Sequence, residues 1–375
     1  MILFTSLAIL SVLLIVGIGS RVMLQNDYRV LTNLRGGTEA FYLAVAGLEW
    51  GKNEVFRSTV FPPSPANRTE NFPAGSFATL FLTPRATGPL TANIVVRSTG
   101  TIGTATQQVQ AQLTKTYDLT DAAVGLRGNA SRINLSGSAI SISGLDYDPV
   151  SGAPVASARP RSAISAGDAL IYQMVDQAVS LLPTGSVTSG SDSAAVSTSV
   201  SLSSSAVSQL ADQLCGSAGT IMDMVPTNGS LVYQNQAWGS RATPQVRCID
   251  GTSAVNDAVT LSTVNGAGIL IIRNADLELT GQFHWEGLVV LTGSSVSLRV
   301  SDTSAKEVLG SVLINETGAP DSSKALLDIQ GNMRVNFSRR ALTVAAGLIP
   351  TAVLNNTFAS LPFLLKQDYW RNISP

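Results

Sequence analysis

The chain has 375 residues, of which 13% are charged, with 24 basic against 25 acidic side chains and a formal net charge of −1. That balance excludes a basic footprint for nucleic acid and an acidic solvating tail. One histidine, two cysteines and no CxxC spacing leave no zinc-ligand set, so no metal or cofactor is expected.

Met1–Ile18 (MILFTSLAILSVLLIVGI) carries no charge and no proline. At about 1.5 Å rise per residue it would span roughly 27 Å, close to the hydrocarbon thickness of a bilayer. Leu3, Phe4, Leu7, Leu10, Leu13, Leu14 and Val16 are its candidate membrane-packing side chains. After Arg21 the apolar residues thin to Met23, Leu24, Tyr28, Leu31, Leu34, Phe41, Val45, Leu48 and Val55, mostly three, four or seven apart. This period predicts one long helix over residues 1–56, apolar all round at first and amphipathic afterwards. Gly36–Gly37 would weaken it locally, and Phe61-Pro62-Pro63-Ser64-Pro65 would end it. Two other readings stand beside this one. A cleaved secretory signal would use Gly17–Ser20 as a poor cleavage site, without a basic residue before Arg21. An ordinary membrane anchor would tether an unrelated domain.

The stretch Thr38–Glu49 (TEAFYLAVAGLE) resembles the FYLAEAGLE signature of PilX-type minor pilins, and the resemblance covers about the first 55 residues. The residues that carry it are Phe41, Tyr42, Leu43, Ala44, Ala46, Gly47, Leu48 and Glu49. Val45 stands where the family usually has glutamate, and Thr5 where pilins commonly carry a glutamate. No basic, glycine-ended leader precedes Met1 in the sequence. Arg21, Arg29 and Arg35 would lie in the cytoplasm by the positive-inside rule but outside in a pilin; a missing leader would reconcile the two.

Short strands are predicted next, at Ser76–Leu82, Asn93–Ser98 and Thr106–Lys115, giving a small antiparallel sheet over residues 57–120. A small sheet of this kind needs a helix over one face. RSTGTIGTATQQVQAQL looks like the last hairpin of pilin relatives.

From Val124 the texture becomes glycine-punctuated and apolar-alternating. GILII at Gly268, GLVVL at Gly287 and GSVLI at Gly310 are near copies, 19 and 23 residues apart. A repeat of about twenty residues predicts a β-solenoid over residues 121–375, with an antiparallel sandwich as the alternative. Gly266–Leu342 is similar to the solenoid-like C-terminal region of larger PilX-family proteins. Residues of about 149–260 read as a partly helical insertion, with helices at Ile164–Leu182 and Ser205–Cys215 around a Ser/Thr/Gly-rich loop. Cys215 and Cys248 form an even pair in a composition that looks extracytoplasmic, which suggests a disulfide; two unrelated buried thiols are the alternative. Ala341–Leu354 and Phe358–Lys366 would cap the open solenoid end, with Trp370 as an anchor.

The expected fold class is thus α+β, mostly β: a long N-terminal helix, a small antiparallel sheet, then a solenoid with a partly helical insertion. No catalytic constellation emerges. His284 has no second histidine and no GxSxG elbow to work with, and Asp146-Tyr147-Asp148 lacks the spacing of a calcium loop. The resemblance implies a non-enzymatic minor pilin-like subunit of a type IV pilus or type II secretion pseudopilus. Its partners would be other pilin subunits through the N-terminal helix, and the inner membrane before assembly. The head would be extracytoplasmic, at the cell surface once assembled, and could meet a surface glycan or protein ligand. The alternative is a membrane-anchored adhesin or carbohydrate-binding solenoid; a β-helix lyase ranks behind both.

Overall fold

The computed structural model describes all residues except 1, 58–65, 83–84, 89, 131, 157, 159, 191–192, 199–201, 253–255, 295, 320–322, 351–352, 354–362 and 374–375. The predicted stop at Phe61–Pro65 lies outside the described residues. The chain forms two compact units.

The first unit holds α1 (Ile2–Arg57), β1 (Asn67–Phe72), β2 (Gly75–Phe81), β3 (Arg85–Gly88), β4 (Thr91–Ile102) and β5 (Ala105–Tyr117). Helix α1 runs unbroken through Gly36–Gly37, so no melted point is seen there. The sheet order is β1-β2-β4-β5, completed by the C-terminal strand Phe363–Ile373 beside β5. β1 pairs antiparallel with β2, and β2 with β4. The β4–β5 turn at Gly103 has φ +56°, a conformation glycine adopts without a Cβ penalty. Leu48, Val55, Phe81, Ile94, Val96 and Leu113 make its core.

The second unit is a parallel coil. Its first strands are β6 (Ala122–Gly128), β7 (Ile133–Leu135), β8 (Ile140–Ser143) and β9 (Ser162–Ala166). α2 (Ala169–Ser180), β10 (Val187–Thr188), β11 (Val196–Ser197) and α3 (Ser204–Cys215) follow. Then come β12 (Ile221–Met224), β13 (Ser230–Trp238), β14 (Gln245–Asp250), β15 (Ala258–Arg273) and β16 (Asp276–Gly293). The run closes with β17 (Leu298–Val300), β18 (Lys306–Glu316), β19 (Leu327–Ile329), β20 (Met333–Phe337) and α4 (Arg339–Ala346), before β21 (Phe363–Ile373) of the first unit.

The strands stack on three faces, all in parallel register. One face runs β13-β15-β16-β17-β19-β7. A second runs through the middles of β15 and β16 to the first half of β18, then β20, β8 and β10. The third runs β12-β14-β15-β16-β18-β6-β9-β11. The apolar pentads are successive strands of this third face. Their leading glycines, Gly268, Gly287 and Gly310, stack in register at the corner. A Cβ on Gly287 would stand 2.1 Å from the Gly268 carbonyl oxygen, and its φ is +131°. The recurring glycine is therefore the bend of each turn.

The winding order departs from the chain order. The chain enters the coil at β6 in mid-stack, winds to β11 at one end, and starts again at β12 at the other. It then returns until β18 pairs both β20 and β6. The 149–260 segment, expected as an insertion, supplies β9 to β14, which pair into the coil itself. The expected helix Ile164–Leu182 is shorter, because 162–166 is strand β9 and Asp168 caps α2 by accepting from the Ile171 N–H at 2.8 Å. The Ser/Thr/Gly-rich loop holds β10 and β11.

Helix α3 explains how the chain reaches the far end. Its 12 residues cover about 18 Å, or roughly four strand spacings. Arg273, Thr292, Asn315 and Arg127 stack as one column on successive strands. Asp212 accepts from Arg273 at 2.7 Å, and Ser208 Oγ lies 3.3 Å from Thr292 Oγ1. Asn315 Nδ2 donates to Ser208 Oγ and to the Ser204 carbonyl, both at 2.9 Å. Arg127 Nε donates to the Leu202 carbonyl at 2.7 Å. One helical turn of about 5.4 Å thus meets each strand of about 4.8 Å spacing. Cys215, at the end of α3, is bonded to Cys248 on β14, with Cα atoms 5.6 Å apart.

The C-terminal segment corrects the expected cap. α4 packs on β15, β16 and β18 through Ala341, Leu342, Ala345 and Ala346. Residues 358–362 of the second expected cap segment lie outside the described residues, and from Phe363 the chain is a strand of the first unit. Trp370, expected to anchor that cap, packs edge-on against Phe41 of α1 at 6.2 Å between ring centroids.

Candidate assembly surface on the N-terminal helix

Helix α1 divides into two stretches with opposite surroundings. Among the described side chains, Leu7, Leu10, Leu13, Leu14 and Val16 are all more than half exposed, and the exposure of large apolar groups continues through Leu24, Tyr28, Leu31 and Leu34. Leu3 lies in the helix, as does Phe4, and their side chains are outside the described set. In water this length of bare apolar helix carries a large unfavourable solvation free energy. By length and composition the helix can cross a membrane, a test that a signal sequence also passes. It is a candidate membrane anchor or signal.

The second stretch lies on the antiparallel sheet. Ala40, Ala44, Leu48 and Val55 are fully buried, and Gly47 and Gly51 sit on the same stripe. A Cβ on Gly47 would come within 2.6 Å of the Phe77 ring, and one on Gly100 of β4 within 2.0 Å of the Ala40 carbonyl oxygen. The backbones approach this closely because neither position has a side chain. Thr79 donates to the Gly47 carbonyl at 2.9 Å, which supplies one fixed polar contact.

This geometry separates the signature residues by role. Ala44, Gly47 and Leu48 form the sheet-facing stripe, flanked by half-buried Phe41 and Leu43. Tyr42, Ala46 and Glu49 face out, and Glu49 accepts from Lys52 at 2.5 Å. Val45, the departure from the family pattern, is half-buried against the core of this unit. Trp50 was not among the predicted residues, yet it packs on Phe77 and Phe81 and carries Arg68 over its ring at 4.8 Å. Its aromatic class, three residues after Gly47, was the available signal. Lys115 is buried, donates to the Val55 carbonyl at 3.3 Å, and is pulled down to about 8 by loss of hydration.

The residues weighed for chemistry have structural partners. His284 lies between Glu307, 3.4 Å from Nδ1, and Glu286, 3.5 Å from Nε2. The Glu307 hydrogen bond raises its pKa, against the opposing effect of burial. Arg241 donates to both oxygens of Glu286 at 2.7 and 2.8 Å. Asp146 accepts from the Arg339 backbone and guanidinium, and Asp148 pairs with Arg340. Among the described residues no group of three or more His, Cys, Asp or Glu side chains could hold a metal ion. Arg127, buried in the coil, donates to Asp121, to the Ser165 hydroxyl and to three carbonyls. Burial lowers its pKa and the Asp121 carboxylate opposes that shift.

No protein-family model matches the chain, and no curated protein matches it. Among solved structures it is similar to the competence-associated pilin ComZ from Thermus thermophilus, at 11% identity. The alignment covers 90% of this chain and 98% of that one, with a TM-score of 0.27.

Proposed function

We propose that this chain is a non-enzymatic, minor pilin-like subunit of a type IV pilus or type II secretion pseudopilus. The observation that carries the reading is the split along α1. One stretch of a single continuous helix is bare and apolar, and the next is seated on an antiparallel sheet through the FYLAVAGLE stripe. A helix of that kind has two environments in which its apolar surface is covered: lipid, and a bundle of like helices. In this reading Leu3, Phe4, Leu7, Leu10, Leu13, Leu14 and Val16 pack in the membrane and then against neighbouring subunits. Residues 41–49 join the helix to the small sheet of β1 to β5 and β21, and the coil of β6 to β20 forms the exposed β-rich head.

The test uses the full chain in its native cell. Leu10→Cys and Leu14→Cys variants should cross-link to other helical subunits in membranes and in sheared surface material. Deletion of the gene should remove filaments or reduce secretion. A protein recovered as a free soluble monomer cut after residue 52, with filaments and secretion intact in the deletion strain, would overturn the proposal.

A further inference from the structure

On two faces of the coil the stack runs one strand further than on the third. β8 is followed by β10, and β9 by β11, whereas β7 pairs with β19 and has no further strand beyond it among the described residues. Helix α2 lies at that level instead. Between α2 and the edge of β7 is an open groove of about 690 Å³, lined among others by Arg132, Asn134, Ser136, Met174, Gln177 and Leu182. Its size falls in the range of ligand sites of roughly 300–1,000 Å³.

The edge that faces this groove has defined hydrogen-bonding chemistry. In a parallel strand each residue turns its N–H and C=O to the same side, and successive residues alternate sides. The Arg132 carbonyl accepts from the Leu326 N–H at 2.9 Å, and the Ser136 N–H donates to the Ile329 carbonyl at 2.9 Å. Positions 132, 134 and 136 therefore serve β19, and Ile133 and Leu135 turn their N–H and C=O groups away from it, toward the groove. The walls alternate polar and apolar groups, as an extended chain's own side chains do. Arg132 is exposed, makes no ion pair among the described residues, and the groove lining contains no carboxylate.

We propose that this groove binds an extended peptide segment of a partner protein, as an added parallel strand on β7, with a carboxylate of that segment against Arg132. Backbone pairing supplies a sequence-tolerant part of the affinity, and the cation and the apolar wall supply selectivity. The site takes the position that β10 and β11 occupy on the other two faces.

The experiment uses the full chain in detergent and fluorescent pentapeptides of the form Thr-Val-Thr-Val-Glu, with Ile or Leu in place of Val, read by anisotropy. Saturable binding is expected, weakened at least about tenfold by Gln177→Trp, which fills the groove from an exposed position. Arg132→Glu should weaken the Glu-ended peptides by a similar factor and strengthen Lys-ended ones. Peptides N-methylated at alternate amides should not bind, because they cannot pair. Absence of saturable binding across the panel, equal binding of the N-methylated peptides, or unchanged binding in both variants would overturn the proposal. So would self-association of the chain that is abolished by Gln177→Trp without any peptide binding, since the occupant would then be a second copy.

Discussion

Helix α1 meets its sheet through a stripe of small residues beside Leu48, Val55 and Trp50, whereas α3 adds a column of polar contacts to its buried Val207, Leu210, Ala211 and Leu214. Ala40, Ala44, Gly47 and Gly51 bring α1 against β2 and β4 with dispersion contacts and one hydroxyl-to-carbonyl hydrogen bond. Asp212 instead meets Arg273, Ser208 meets both Thr292 and Asn315, and the Ser204 carbonyl meets Asn315, on three successive strands of the coil. The sheet under α1 has a shape that only one small-residue stripe fits. The coil is nearly the same from strand to strand, so shape alone would let α3 slide by one spacing. Directional hydrogen bonds to chemically different residues, Arg273, Thr292 and Asn315, fix which turn meets which strand. The disulfide at Cys215 pins the far end of the same helix.

The comparison can be broken at several points. The largest effect is expected where the coil tolerates no side chain at all. Gly287→Val places a Cβ against the Gly268 carbonyl at a backbone angle that disfavours L-residues, so a loss above about 4 kcal/mol is expected, enough to prevent folding of the coil. Absence of Trp285 burial in fluorescence would register it. Removing the staple with the Cys215→Ser, Cys248→Ser pair should cost about 3–4 kcal/mol for a loop of 33 residues, seen as a lower denaturation midpoint that reductant reproduces in the parent.

A smaller loss should follow from Gly47→Leu, about 1–3 kcal/mol from overpacking against Phe77 and Ser98. It should raise amide exchange in β2 and β4 while leaving β15 and β16 protected. Equal exchange in both units would show that they unfold together. The smallest effect concerns His284. Its folded pKa lies above the ordinary value of about 6.5, because Glu307 and Glu286 favour the charged ring. Its contribution is full below the unfolded pKa and is lost as pH rises through the folded one. With solvent screening at a partly exposed site, no more than about 0.5 kcal/mol should disappear between pH 6 and 8, and His284→Gln should flatten that slope.

Much of this arrangement could be read before folding. The bare apolar run, the small-residue stripe ending in Gly-Leu-Glu and the three glycine-led pentads depend on local period, and local period survives into the structure. The pentads at 268, 287 and 310 predicted a stacked repeat, and in the structure their glycines fall on one another in parallel register. The closure of the coil could not be read that way. β18 meets β6 across some 190 residues, and nothing in either strand names its partner, because any apolar parallel strand satisfies the same ladder. Trp370 misled for the same reason. Its place beside Phe41 depends on a strand that returns to the first sheet from the far end of the chain.

Residue order alone was enough to specify a long helix with a lipid-compatible beginning, a glycine-cornered repeat, and a pair of cysteines available for bonding, because each is a matter of spacing and polarity within a few tens of residues. Which strand closes the coil, which column α3 reads, and which sheet receives the last strand were decided only when distant segments packed. Those choices rest on hydrogen-bond direction and the exclusion of Cβ atoms at contacts that exist only in three dimensions.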